Sequence, residues 1–278
     1  MSIGVHVNKT ALAALTNLQR STDDLAKVQD RISTGFKVAT AKDNAAIYSV
    51  AQGQRADVGA LNAVKGSLNR ASSITDVALA AGENISDLLN QLKEKVLGSL
   101  DPSADANSRA AYDTDFKAIL RQITSVMRNA EFDGANILNG SLTGDIRFLA
   151  NADANAFVTL TTKNLSLGGA ILTIPATASI NSSATASAVL AQLSTSIINV
   201  NAALGQIGAQ GKAIEAHNTF VSKLENVLET GIGNLVDADM AKESARLTAL
   251  QVQQQLGTQA LSIANQAPQV VLNLFRNT

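Results

Sequence analysis

Few residues in this chain have the type and spacing to do chemistry. His6 and His217 are the only histidines, and neither has a second ligand at metal-binding spacing. Such an isolated histidine reads as a surface or hydrogen-bonded side chain. The chain has no cysteine, which excludes disulfides, thiolate catalysis and cysteine-based metal sites. "GQIGAQGKA", from Gly205 to Ala213, has some features of a phosphate loop. It lacks the first glycine, which Gln206 replaces, and the final Ser or Thr, and it falls inside a helical pattern. Its glycines therefore read as close packing points. Asp23-Asp24, Asp113 with Asp115, and Lys93-Glu94-Lys95 read as solvated helix faces. Asn84-Ile85-Ser86 and Asn181-Ser182-Ser183 match the glycosylation pattern, which occurs often by chance.

Acids and bases nearly cancel, 23 against 22, so nothing points to a nucleic-acid or acidic partner. Aromatics are sparse, Trp is absent and only 3 prolines occur. The start "MSIGVHVNKTALAAL" lacks the basic, apolar and small-residue order of a secretory signal. No run of about 18 purely apolar residues suggests a membrane span. No cofactor is expected.

The patterning is that of long helices. Residues 5–34 are predicted helical: at about 100° per residue, Ala11, Leu15, Leu18, Leu25 and Ile32 share a face opposite Lys9, Arg20, Asp23 and Lys27. A second helix is predicted over 44–99 and stops at Asp101-Pro102, because Pro cannot continue a helix and restricts its predecessor. A third covers 105–129. "DIRFLANADANAFVTLTT" alternates and predicts a hairpin turning at Asn151–Asn155. One short strand is expected at 170–174. Helix resumes near 184 and is expected to break at Gly231 and Gly233. Asp237 or Asp239 then caps a last helix reaching about Asn273.

Terminal helices this long cannot bury their apolar faces alone, so the two ends are expected to pack together as a coiled coil. On the last helix Ala249, Val252, Leu256, Ile263, Val270 and Leu274 follow a spacing of threes, fours and sevens, with alanines between. Seams so rich in alanine hold a lone helix pair weakly and favour a larger assembly. The same helix is unusual in another way. From Leu247 to Phe275 it carries no charge, while Gln251, Gln255, Gln259, Ser262, Gln266, Gln269 and Asn273 line one stripe.

The run "DADMAKESARLTALQVQQQLGTQALSIANQAPQVVLNLFR" resembles the bacterial flagellin C-terminal signature. "ISTGFKVATAKDNAAIYSVAQG" resembles its N-terminal partner, and "EFDGANILNG" and "RFLANADANAFVTLTT" are similar to the family's central turn and hairpin. The resemblance implies a mainly α fold: long antiparallel helices in nested coiled-coil layers with a small central β-hairpin. Residues 1–43 and 234–278 would form an inner terminal domain. Residues 44–140 and 184–233 would form an outer helical domain. Residues 141–183 would stand in place of the large outer domains of longer members.

The implied function is structural, a subunit polymerising into a hollow propeller filament outside the cell. Its partners would be further copies of itself, the flagellar export apparatus and chaperone, and the filament cap and hook-junction proteins. No nucleic acid or membrane insertion is implied. Export would proceed without a cleaved signal peptide. A hook–filament junction protein is the alternative, and an enzyme would need an inserted domain with a His-Glu-x-x-His motif that is absent here.

Within that frame Leu15, Leu18, Leu25, Ile32, Ala249, Val252, Leu256, Ile263, Val270 and Leu274 form the expected polymerisation seam. Gln251, Gln255, Gln259, Ser262, Gln266, Gln269 and Asn273 would line the channel through which later subunits pass. Many members activate a toll-like receptor through Leu-Gln-Arg-Val-Arg-Glu-Leu. The matching stretch here carries Gln91, Lys93, Glu94 and Lys95, which predicts weak activation. The Ser/Thr-rich segment 141–187 is a candidate for O-linked sugars.

Overall fold

The computed structural model describes residues 8–142 and 144–276, with side chains to Gln266. Five helices and one hairpin follow in the order α1 (Lys9–Thr34), α2 (Ala45–Leu100), α3 (Ala106–Asn129), β1 (Ile146–Leu149), β2 (Phe157–Leu160), α4 (Ser183–Val236) and α5 (Met240–Arg276). They form two compact units, Met1–Ala56 with Val227–Thr278, and Asp57–Asn226; α2 and α4 contribute to both.

In the first unit α1 runs antiparallel to α5. Asn8 caps α1 by accepting from Ala11 N–H, and its amide donates to Ala264 O at 2.7 Å. Gly35 ends α1 at φ 76, donating to Arg31 O; this left-handed position suits glycine, which has no Cβ. The chain is then clamped to the end of α4 and the link that leads into α5. Lys37 and Val38 N–H both donate to Val236 O, and Ala238 N–H donates to Gly35 O at 2.8 Å. Asp239 caps α5 by accepting from Ala241 and Lys242 N–H. Asp43 folds the intervening loop by accepting from Ala39 and Thr40, and these hydrogen bonds hold its carboxyl below the usual range.

The second unit has the larger interior. Phe116, Leu68, Ile85, Leu89, Leu92, Ile123 and Leu160 are fully buried in it. Gly82 admits the Leu204 side chain where a Cβ would stand, and a Cβ on Gly211 would lie 3.0 Å from Thr75. Gly205 and Gly208 face open space, so of the glycines read as packing points only Gly211 is one. Asp105 caps α3 by accepting from Ser108 N–H. The hairpin pairs Ile146 with Leu160 and Leu149 with Phe157. Its turn is held as expected by Asn151, which accepts from Asn155 and Ala156 N–H.

The structure departs from the sequence reading in three places. First, α4 passes through Gly231 and Gly233. Neither has the positive φ that ends a helix, and Asp237 N–H continues the ladder to Gly233 O. Second, residues 170–174 form no strand. Leu172 makes a single bridge to Leu167, and Thr173 N–H donates to the Ser196 hydroxyl at 3.0 Å, so no strand partner is needed. Third, α4 is apolar enough by length and composition to cross a membrane, with a window of mean hydropathy 1.3. Its apolar residues, Ile, Leu, Val and Ala, are interspersed with Asn, Gln, Ser and Gly, and part of it packs in the second unit's core through Leu193, Val200, Ile207 and Ile214.

Candidate assembly surfaces

The α1–α5 contact is a heptad seam. On α1 the turned-in positions are Ala11, Ala14, Leu18, Ser21, Leu25, Val28 and Ile32. On α5 they are Glu243, Leu247, Leu250, Gln254, Gly257, Leu261 and Ala264. Both sets alternate steps of three and four, the spacing of a supercoiled pair. Only Leu25, Val28 and Leu250 form a buried apolar cluster, flanked by Ile32 and Leu247. Elsewhere the seam is mostly small or polar, Leu18 and Leu261 apart. Gly257 lies against Leu18, Gln254 reaches Thr22 at 3.5 Å, and Arg31 pairs with the buried Glu243 at 3.2 Å. The second carboxylate oxygen of Glu243 has no partner among the described residues.

The residues read as the seam are divided between two faces. Leu18, Leu25 and Ile32 turn toward α5. Leu15 is 39% exposed, and Val252, Leu256 and Ile263 are 50%, 57% and 69% exposed, with Ala249 open as well. These α5 residues are offset by two positions from the α1-facing stripe, which is about 200° around a helix. They therefore make a second apolar strip on the face away from α1. The intrachain coiled coil is built by different residues from those the sequence reading placed in it. The side chains of Val270 and Leu274 lie outside the described residues.

The glutamine stripe flanks that strip. Gln251, Gln255, Gln259, Ser262 and Gln266 are all exposed; Gln251, Gln255 and Ser262 stand one position, about 100°, past the α1-facing set, while Gln259 and Gln266 stand two positions past it, in register with Val252. The side chains of Gln269 and Asn273 lie outside the described residues.

The stretch on α2 is also exposed. Leu89 and Leu92 are buried, while Gln91, Lys93 and Glu94 face outward and Lys95 is partly covered by its 2.8 Å pair with Asp115. The Asp115 hydrogen bond raises the Lys95 pKa.

Asp113, which the sequence reading left solvated, is buried. It accepts from Ile180 N–H at 2.7 Å and the Ser179 hydroxyl at 2.8 Å, and pairs with Lys117 at 2.6 Å. Burial pushes its carboxyl up, but the hydrogen bonds from Lys117, Ile180 and Ser179 outweigh that and leave it below the usual range. Asp113 thus docks the long segment before α4 onto α3. Its only sequence signal is an acid four residues before a lysine, which the surface pairs of any helix share. His217 is also engaged, with Nε2 2.7 Å from Ala150 O beside the hairpin.

A paired terminal coiled coil, an open apolar strip and an uncharged polar stripe define a helical protein built to pack against others. The family comparisons agree. Residues 5–143 match the bacterial flagellin N-terminal helical region, and residues 184–275 match the flagellin C-terminal helical region. The chain is 50% identical over 278 residues to Flagellin FljJ of Caulobacter vibrioides, covering 99% of each. It is 35% identical over 278 residues to a flagellin of Brucella melitensis, covering 97% of this chain and 98% of that one. A putative flagellar hook-associated protein from Vibrio parahaemolyticus shares the fold at a TM-score of 0.58, with 13% identity over 70% of this chain and 100% of that one. This chain belongs to the bacterial flagellin family, as a short form without a large outer domain. It is a structural subunit of the extracellular flagellar filament, and nothing favours the hook-junction alternative.

Proposed function

We propose that the faces of α5 divide the work of the filament. The observation that carries this is the open apolar strip of Val252, Leu256 and Ile263, on a helix whose own intrachain seam is already occupied. The strip would be covered by the terminal helices of neighbouring subunits, joined by Leu15 and, further along, Val270 and Leu274. Burial of each large side chain there contributes about 1.5–3 kcal/mol, which the isolated subunit forgoes. Residues 1–43 and 234–278 would act as the inner, polymerising domain, residues 44–140 and 184–233 as the outer helical domain, and 141–183 as the surface segment. Such a subunit has no catalytic role.

The glutamine stripe, including Gln269 and Asn273, would face the channel. Its support is the exposure of Gln251, Gln255, Gln259, Ser262 and Gln266 together with the absence of charge along the helix. Unfolded subunits of either local charge must pass that wall. Apolar walls would hold their hydrophobic segments, and charged walls would hold opposite charges, more strongly in a poorly screened lumen than in bulk water. Export without a cleaved signal peptide, through the flagellar export apparatus with its chaperone, and addition beneath a cap complete this reading. α4 would be an outer helix and not a membrane span.

Replacing Gln255, Gln259 and Gln266 together with Glu tests the channel. Shortened filaments in cells, with normal polymerisation of purified subunits, are expected. Normal filament length with all three charged would remove the assignment. For Gln91, Lys93, Glu94 and Lys95 we expect weak activation of the toll-like receptor, and strong signalling by purified monomer would contradict it. Any sugar would lie on Ser and Thr of 141–187, and an intact mass equal to the sequence mass would exclude it.

A further inference from the structure

We infer that Asn139-Gly140 is a built-in deamidation site that gives each subunit an age-dependent negative charge. Of all the asparagines, Asn139 alone precedes a glycine. Glycine puts no side chain of its own beside the amide nitrogen that must attack, and here the Asn164 side chain lies where a Cβ on Gly140 would stand. Gly140 is exposed at φ 71, and its N–H donates to no oxygen among the described residues. The Asn139 side-chain carbonyl accepts from Ser141 N–H at 2.8 Å, which draws electrons from Cγ and stabilises negative charge developing on that oxygen. Nucleophile, electrophile and oxyanion donor thus lie within three consecutive residues, on a half-exposed turn that water reaches.

The reaction needs only water. Gly140 N loses its proton and attacks Asn139 Cγ, forming the new C–N bond. The Cγ–Nδ2 bond breaks and ammonia leaves with the proton. Water then opens the five-membered imide at either carbonyl, giving aspartate or isoaspartate. In both products a carboxylate replaces a neutral amide at an open hollow of about 350 Å³, whose lining includes Arg128, Ser141 and Ser166. The isoaspartate also lengthens the backbone by one carbon. It does so beside the contacts that fix this turn, Asn136 Oδ1 with Leu138 and Asn139 N–H, and the Ser166 hydroxyl on Asn139 O.

Asp133-Gly134 is an internal comparison. Gly134 N–H likewise donates to no oxygen among the described residues, but Asp133 is a carboxylate paired with Arg70 at 3.3 Å, and an ionised carboxylate is a poor electrophile.

The test incubates full-length monomer and assembled filament at mildly alkaline pH, beside chain unfolded in urea. Peptide mapping with fragmentation that separates aspartate from isoaspartate follows. The expected result is conversion at Asn139 ahead of every other asparagine and ahead of isomerisation at Asp133, with the folded monomer within a fewfold of the unfolded chain. Asn139→Gln should abolish the modified peptide. Conversion in the folded monomer slower than in urea by about tenfold or more would show that the fold protects the site and overturn the proposal. Modification that persists in Asn139→Gln would overturn it as well.

Discussion

The terminal helix pair and the interior of Asp57–Asn226 are both helical, but they are held differently. In the interior, Phe116, Leu89, Leu92 and Ile123 are fully buried, glycine admits a leucine, and a carboxylate docks the loop before α4. In the α1–α5 pair the seam holds Ala11, Ala14, Ser21, Gln254, Gly257 and Ala264, with one small apolar cluster toward the end where α1 stops and α5 starts. The first region has a continuous buried interior within one chain, with Leu97, Ile198 and Phe220 still exposed on its surface. The second leaves large apolar side chains on its far face. A short buried seam and a long exposed strip on the same helix are what a segment stabilised by neighbouring subunits would show, as proposed above.

The largest expected effect comes from removing the weaker region. Deleting residues 1–35 or 236–278 should leave a soluble helical body that forms no filament. Filaments seen by electron microscopy from either truncated chain would break the comparison. Next comes Phe116→Ala, which should cost about 3–5 kcal/mol by emptying a packed core site. Leu250→Ala in the α1–α5 seam should shift thermal unfolding of the monomer much less while impairing polymerisation. Equal shifts would show the two regions to be equally self-sufficient.

Asp113→Ala should cost about 2 kcal/mol, since Ile180 N–H and the Ser179 hydroxyl lose their acceptor. The pH dependence follows from the lowered carboxyl pKa. A depressed folded pKa contributes stability that is present above the unfolded value of 3.8 and is lost as pH falls through the folded one. Wild type should therefore lose this contribution only in acid below that value, and the variant should lack that component of the acid transition. The smallest effect is expected for Lys95→Met. Its pair with Asp115 lies at the surface, so the melting temperature should stay within measurement error.

Much of this was readable from the residues. The stop at Asp101-Pro102, the Asp239 cap and the Asn151 turn all rest on local chemistry that tertiary packing did not override. The α1-facing stripe of α5 was hidden because Glu243, Gln254 and Gly257 occupy seam positions, so the most apolar stripe stood out instead, and that stripe faces outward. Gly231 and Gly233 misled because a glycine ends a helix only when it turns left-handed, and backbone angles are not written in residue types. Asp113 was missed because its partners, Ser179 and Ile180, are remote in sequence.

The central claim is that α1 and α5 depend on neighbouring subunits while residues 57–226 do not. Amide hydrogen exchange on monomer and filament, read peptide by peptide, tests it most directly. Amides of Lys9–Thr34 and Met240–Arg276 should exchange rapidly in the monomer and become strongly protected in the filament, while those of α3 are protected in both. Equal protection of α1 and α5 in monomer and filament would contradict the account.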